Sequence, residues 1–162
     1  MATATEIAEF LDRELDINGI EDNSSNGLQV ENTGEIKKIG FAVDACLETF
    51  QQAVETGCQM VIVHHGMLWN FSKYYFTGAN YEKVKLLIEN NLALYAAHLP
   101  LDMHPTYGNN IQLAKLLGLQ NIQPFGSHHE TPIGFIGEKP TTLKEVKNLL
   151  DKNKIQTLTL PF

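Results

Sequence analysis

An uninterrupted apolar run, Met60-Val61-Ile62-Val63, lies between two segments of helical periodicity, and it restricts the fold more than any other feature of the sequence. A short run without alternation suits a strand buried on both faces, as in a parallel sheet. Ahead of it, Ile36 to Val43 reads as a strand. Asp44 is placed to cap a helix in which Leu47, Phe50 and Val54 share a face, and Gly57 is placed to end that helix. Strand, helix and strand within about thirty residues is the spacing of a βαβ unit. The pattern then repeats, with a helix over Tyr81 to Asn90, a strand over Leu92 to Ala97, and a helix over Asn109 to Leu117 stopped by Gly118. This alternation predicts an α/β fold, a mostly parallel sheet flanked by helices.

The flanking segments follow local rules. Thr3 and Glu6 have the spacing of a capping box, and Ile7, Phe10, Leu11 and Leu15 continue at helical spacing. Glu21 to Gly34 is rich in Asn, Ser and Gly and reads as loop, interrupted by Leu28 to Val30, with Asn26-Gly27 as a turn needing positive φ at the glycine. A boundary is expected near Pro124 to Ser127. It separates a first α/β domain, residues 1–126, from the start of a smaller α/β unit, residues 127–162. That unit should contain a strand at Ile133 to Ile136, a helix from Thr142 with Glu145 three residues on, and a last strand from Ile155 to Leu160 ended by Pro161 and Phe162. Fewer than forty residues is small for an independent domain, so the second unit is expected to be partial.

Composition narrows the function. Hydrophobic residues at 43% and charged residues at 19% are an ordinary globular balance. Twelve Lys and Arg face nineteen Asp and Glu, a formal charge of −7 with no basic cluster, which argues against a nucleic-acid partner. Cys46 and Cys58 form no CxxC pair and fit two thiols in a reducing cytosol. The opening MATATEIAEFLDRELD is acidic and amphipathic, unlike a signal peptide, and no apolar stretch reaches spanning length. A soluble, cytoplasmic protein without a membrane partner is expected.

All six histidines fall between positions 64 and 129, and four follow predicted strands. VIVHHG puts His64 and His65 at the end of one strand, and LYAAHLPLDMHP puts His98, Asp102 and His104 at or beyond the end of the next. Open parallel sheets bind ligands outside the carboxyl ends of their strands, so two sequence-distant groups should meet on one edge. Neutral imidazole and carboxylate are common ligands of zinc and iron. Successive strand residues point to opposite faces. His64 and His65 therefore share one ion only if the backbone turns, which Gly66 would permit; otherwise they serve two ions side by side. The bland alternative is that strand-end histidines are hydrogen-bonded structural residues. Trp69, Phe71, Tyr74, Tyr75 and Phe76 follow the pair and either line a stacking pocket or pack a loop or interface. Gly108, Asn109 and Asn110 are placed to cap the following helix, or their amide groups orient a substrate near the metal edge.

Three segments in order, SNGLQVEN (Ser25 to Asn32), VIVHHGMLW and AAHLPLDMHPTYGNN, resemble the signature of the type-2 GTP cyclohydrolase-like (NIF-three-like) dinuclear metal-binding family, and the resemblance covers residues 1 to about 120. It implies that His64, His65 and Asp102 are metal ligands and that His98 stands beside the site as a catalytic, proton-transferring group. It also implies two divalent metal ions (zinc, iron or manganese) and a hydrolase acting on a small molecule such as a nucleotide. A homo-oligomer, such as a hexameric ring, is a further implication; a non-enzymatic metal-binding scaffold is the alternative. The family adds a His and a Glu from a segment near its C-terminus, which residues 1–162 do not match. His128, His129 and Glu130 differ in position and are expected in a polar loop, so the ligand set should be incomplete. No Gly-rich phosphate loop is present.

Overall fold

The computed structural model describes residues 2–70 and 75–160. The chain divides into two compact units, Met1–Asp102 and Met103–Phe162. Among the described residues no helix is long and apolar enough to cross a membrane.

The first unit carries α1 (Ala4–Glu14), β1 (Gly27–Val30), β2 (Ile39–Asp44), α2 (Leu47–Glu55), β3 (Met60–His65), α3 (Ala79–Glu89), β4 (Ala93–Ala96) and all but the last residue of α4 (Leu99–Met103). Its sheet has the order β1-β4-β3-β2. The three strands of the βαβ pattern, β2, β3 and β4, are parallel, and β1 closes one edge antiparallel to β4. The predicted mostly parallel α/β sheet is therefore present. The capping box of α1 forms as expected, with the Thr3 hydroxyl accepting from the Glu6 N–H.

Two details differ from the sequence reading. The predicted strand from Ile36 begins at Ile39 and takes in Asp44. The cap of α2 is Cys46, whose sulfur accepts from the Thr49 N–H, so Asp44 is left as the last strand residue, in register with His65. Asp is the better cap by propensity, but Ala45 and Cys46 separate it from the helix.

Burial on both faces of β3 and β4 accounts for their continuous apolar runs. On one face, Met60, Ala93, Tyr95 and Ala97 pack with Ala4, Ala8 and Leu15 of the α1 segment. On the other, Val61, Val63, Leu94 and Ala96 pack with Phe50 and Ala53 of α2 and Leu87 of α3. The edge strand β2 is less covered, leaving Phe41 and Val43 exposed. Across the first face the fully buried Tyr95 donates its hydroxyl hydrogen to Asp12 Oδ1 at 2.8 Å. Burial, and then that bond, pushes the phenol far above its ordinary range. Hydrogen bonds to charged groups are worth about 1.5–3 kcal/mol, so Tyr95→Phe is expected to cost about that much in a urea unfolding curve read by circular dichroism.

The second unit contains α5 (Asn109–Leu117), β5 (Gln120–His128), β6 (Thr131–Glu138) and α6 (Leu143–Lys152). Gly118 ends α5 in the left-handed conformation, at φ 70°. Residues Pro124 to Ser127, where the sequence suggests a boundary, lie inside β5, which pairs antiparallel with β6. The hairpin turns on His129 and Glu130, both at positive φ (47° and 69°), as a two-residue turn between right-twisted strands requires. The capping box at Thr142 and Glu145 forms as predicted. The strand expected over Ile155 to Leu160 is absent: these residues pair with no strand among the described residues, and Leu158 is 87% exposed. An apolar run becomes a strand only where a neighbour takes its backbone hydrogen bonds. Pro161 and Phe162 lie outside the described residues.

Candidate metal centre

Parallel pairing of β3 with β4, with Val63 opposite Ala96, brings His64 and His65 to the same sheet edge as the segment that follows β4. That segment carries His98 and then one turn of α4, in which the Asp102 N–H donates to the His98 carbonyl at 3.1 Å. His64, His65 and His98 each offer one ligand atom, and these atoms all lie within 4.8 Å of one another. Ring centroids are 4.6 Å apart for His64 and His65, 4.9 Å for His64 and His98, and 5.6 Å for His65 and His98. The Asp102 carboxylate lies 3.6 Å from His64 Nε2. His64, His65, His98 and Asp102 thus stand at one edge, and this constellation belongs to the first unit, whereas His104 belongs to the second.

The rings are held from behind. His64 Nδ1 lies 3.0 Å from the Ala97 carbonyl oxygen, His65 Nδ1 2.7 Å from Asp44 Oδ1, and His98 Nδ1 2.9 Å from Asp22 Oδ1. A carbonyl or a carboxylate only accepts, so in each neutral ring Nδ1 carries the hydrogen and Nε2 keeps its lone pair. Donation from the second ring nitrogen to a carbonyl or carboxylate is the usual support of a metal-ligating histidine. The donor set therefore fits a divalent transition metal: three imidazoles anchored on one ring nitrogen, with a carboxylate beside them.

β3 stays extended through His65, so convergence of the two rings needs no backbone turn at Gly66. The rings are drawn to opposite neighbours, His64 toward the end of β4 and His65 toward the end of β2. Gly66 serves packing instead: a Cβ there would collide with the Gln29 amide and lie 2.7 Å from Ala96 Cβ.

The loop before β1 supplies the residues that sequence reasoning missed. Asp22, with a side chain only 4% exposed, accepts from the Ser24 and Leu99 N–H groups, the Asn26 amide and His98. Burial pushes this carboxyl up, but the hydrogen bonds from Ser24, Asn26, His98 and Leu99 outweigh it and hold it below the usual carboxylate range. Asn26, expected only as a turn residue, accepts the His98 N–H on its Oδ1 at 2.8 Å. Gly27 beside it has the expected positive φ, 103°. The Asp44 contact had a readable signal, since Asp44 and His65 end adjacent parallel strands. Asp22 had none, lying 76 residues from His98.

Trp69 donates its indole hydrogen to the Gly66 carbonyl at 3.0 Å and meets the His98 ring edge-on at 5.1 Å. Of the other aromatics, Tyr75 and Phe76 are exposed, and Phe71 and Tyr74 lie outside the described residues. His104 accepts on Nδ1 from the Thr106 and Tyr107 N–H groups and stacks on Tyr107. His128 and His129 belong to the hairpin of the second unit.

Comparison with known proteins adds to this geometry. The sequence model of the family described as Duf34/NIF3 (NGG1p interacting factor 3) matches residues 2–160. A protein of Pyrococcus abyssi named GTP cyclohydrolase 1 type 2 homolog is 46% identical over 147 residues, covering 90% of this chain and 58% of its own length. A relative of the same name from Archaeoglobus fulgidus is 40% identical, covering 97% of this chain and 63% of its own. The chain therefore spans about three fifths of the length of these relatives. Among solved structures, TTHA1606 of Thermus thermophilus superposes with a TM-score of 0.84 at 35% identity, over 93% of this chain and 61% of that one. Reduced HcgD of Methanocaldococcus jannaschii gives 0.80 at 32% identity, over 93% and 60%.

Proposed function

Because the chain belongs to the Duf34/NIF3 family, we propose that it is a divalent-metal protein of the hydrolase class, in which His64, His65 and Asp102 hold two ions and His98 transfers protons. The observation that carries this reading is the convergence of three imidazoles whose Nδ1 atoms are all anchored, which leaves Nε2 of each as the nitrogen available to a metal or a proton. Two neighbouring ions are supported by the way the pair is held: His64 sits beside Asp102 on the β4 side, and His65 is held on the β2 side. A bound divalent ion would supply Lewis acidity toward an electrophilic substrate and make water a better nucleophile near neutral pH.

The residues themselves divide the remaining work. The Asp22-anchored ring of His98 holds Nε2 toward the other two imidazoles, where it can take up or release a proton. Asp102 contributes a hard oxygen donor next to His64. Trp69 presents an aromatic wall beside His98, which supports a planar substrate such as a nucleotide base. The name borne by the relatives, GTP cyclohydrolase 1 type 2 homolog, agrees with a purine nucleotide, and a ring-shaped homo-oligomer is part of the same proposal.

The test is metal analysis of protein purified without chelator, followed by assay against nucleotides and simple esters. Turnover should require the metal and fall about 100-fold in Asp102→Asn, an effect of about 2.7 kcal/mol on the barrier. A metal-replete protein inert on the whole panel would replace the hydrolase with a metal-binding scaffold. Light scattering on the same sample would show whether the chain assembles.

A further inference from the structure

Asp22 gathers donors from both sides of the site. Oδ1 accepts from the Ser24 N–H at 2.9 Å and from His98 Nδ1 at 2.9 Å. Oδ2 accepts from the Asn26 amide at 2.9 Å, from the Leu99 N–H at 3.0 Å and, more distantly, from His98 at 3.1 Å. Ser24 on Oδ1, and Asn26 and Leu99 on Oδ2, are donors whatever the tautomer of His98, so both oxygens must be acceptors, a condition that a carboxylate meets and a carboxamide does not. Two of the partners, His98 and Leu99, belong to the segment that carries the site, and two, Ser24 and Asn26, belong to the loop before β1.

That loop is also fastened to the chain just after His65. Ser25 N–H donates to the Leu68 carbonyl, Asn70 N–H to the Asn23 carbonyl and the Asn70 amide to the Asp22 carbonyl. Ser24 forms an isolated bridge with Trp69. The loop thus joins the segment following β3 to the segment following β4, and the Asp22 carboxylate lies where they join.

We propose that Asp22 is the positioning residue of the centre: it fixes the tautomer and rotation of His98, so that Nε2 keeps an unprotonated lone pair facing His64 and His65. This rests on the metal reading above only for its consequence, not for the geometry. The Asp44 contact to His65 is a weaker version of the same device, because the Asp44 side chain is 65% exposed and free to move into water.

Asp22→Asn separates positioning from bulk. The side chain keeps its shape, but its new NH2 must face donors on whichever side it lies. On the Oδ1 side the conflict with His98, though not that with the Ser24 N–H, is relieved when His98 switches to the Nε2–H tautomer and accepts on Nδ1. Nitrogen-15 NMR of the metal-free protein at pH 8 reads the tautomer of each ring directly, and zinc affinity is measured by competition with a chromogenic chelator. In the wild-type chain His98 should be the Nδ1–H tautomer. In Asp22→Asn the Nε2–H tautomer should appear at His98 alone. A wild-type His98 protonated on Nε2 overturns the proposal, whether or not the variant folds. So does a folded Asp22→Asn with an unchanged His98 tautomer. If wild-type protein binds no zinc while His98 shows the stated tautomers, the metal reading fails and the positioning role stands.

Discussion

Replacing His64 and His65 together with Ala is expected to lower zinc affinity by about 10⁴-fold, the largest effect any pair of substitutions should have on binding. Protein sites that hold zinc through four ligands bind it with about 10–16 kcal/mol, so each ligand accounts for about 3 kcal/mol, or about 100-fold. Both imidazoles come from one strand end and both are anchored on Nδ1. The measurement is competition with a chelator of known affinity. Because an ion that binds only the folded chain raises its stability, a zinc-dependent rise in melting temperature should vanish in the same variant. His104→Ala is the control. Its ring is engaged with the backbone of Thr106 and Tyr107 and stacked on Tyr107, so zinc affinity should stay within about twofold. Equal loss in the control and in the double variant would remove the His64/His65 assignment.

Phe50→Ala should have the largest effect on stability. Phe50 is fully buried on α2, in the apolar layer formed with Val61, Val63, Leu94 and Leu87. Removing a buried phenylalanine ring costs about 3–5 kcal/mol, partly through lost transfer energy and partly through the cavity left behind. Domains of this size have about 5–15 kcal/mol in total. The urea midpoint should therefore fall sharply with little change in slope, and a preparation that is partly unfolded at 37 °C would agree. A loss below about 1 kcal/mol would mean that α2 is not packed on the sheet as described. Leu158→Ala, at a side chain 87% exposed, should leave the midpoint nearly unchanged.

What could be read from the sequence, and what could not, follows from the range of the forces involved. The βαβ core was legible because burial writes itself locally: Met60 to Val63 is apolar throughout since helices cover both sides of β3. The convergence of His64, His65, His98 and Asp102 followed from a rule about strand ends, with no need for exact boundaries. The second unit was read less well. Pro124 and Gly126 look like breakers, yet they lie in β5, where a two-stranded hairpin leaves one side free of ladder bonds and tolerates a proline. Ile155 to Leu160 carries the opposite lesson, having the composition of a strand without a partner strand among the described residues. Asp44 misled because a local preference for acidic caps pointed to α2, while register with His65 gave it another partner. Asp22 was out of reach, because its role depends on β1 lying beside β4, a choice that no local pattern reveals.

That same neighbour relation governs how the molecule can be made. β1 has no partner until β4 exists, Gly27 pairing with Ala96 and Leu28 with Tyr95. On a ribosome adding about 5–20 residues each second, the nascent chain spends several seconds with its first strand and helix lacking the surface they cover. His98 and Asp102 cannot join His64 and His65 before the fourth strand has left the exit tunnel. The cluster of imidazoles is a late product of assembly.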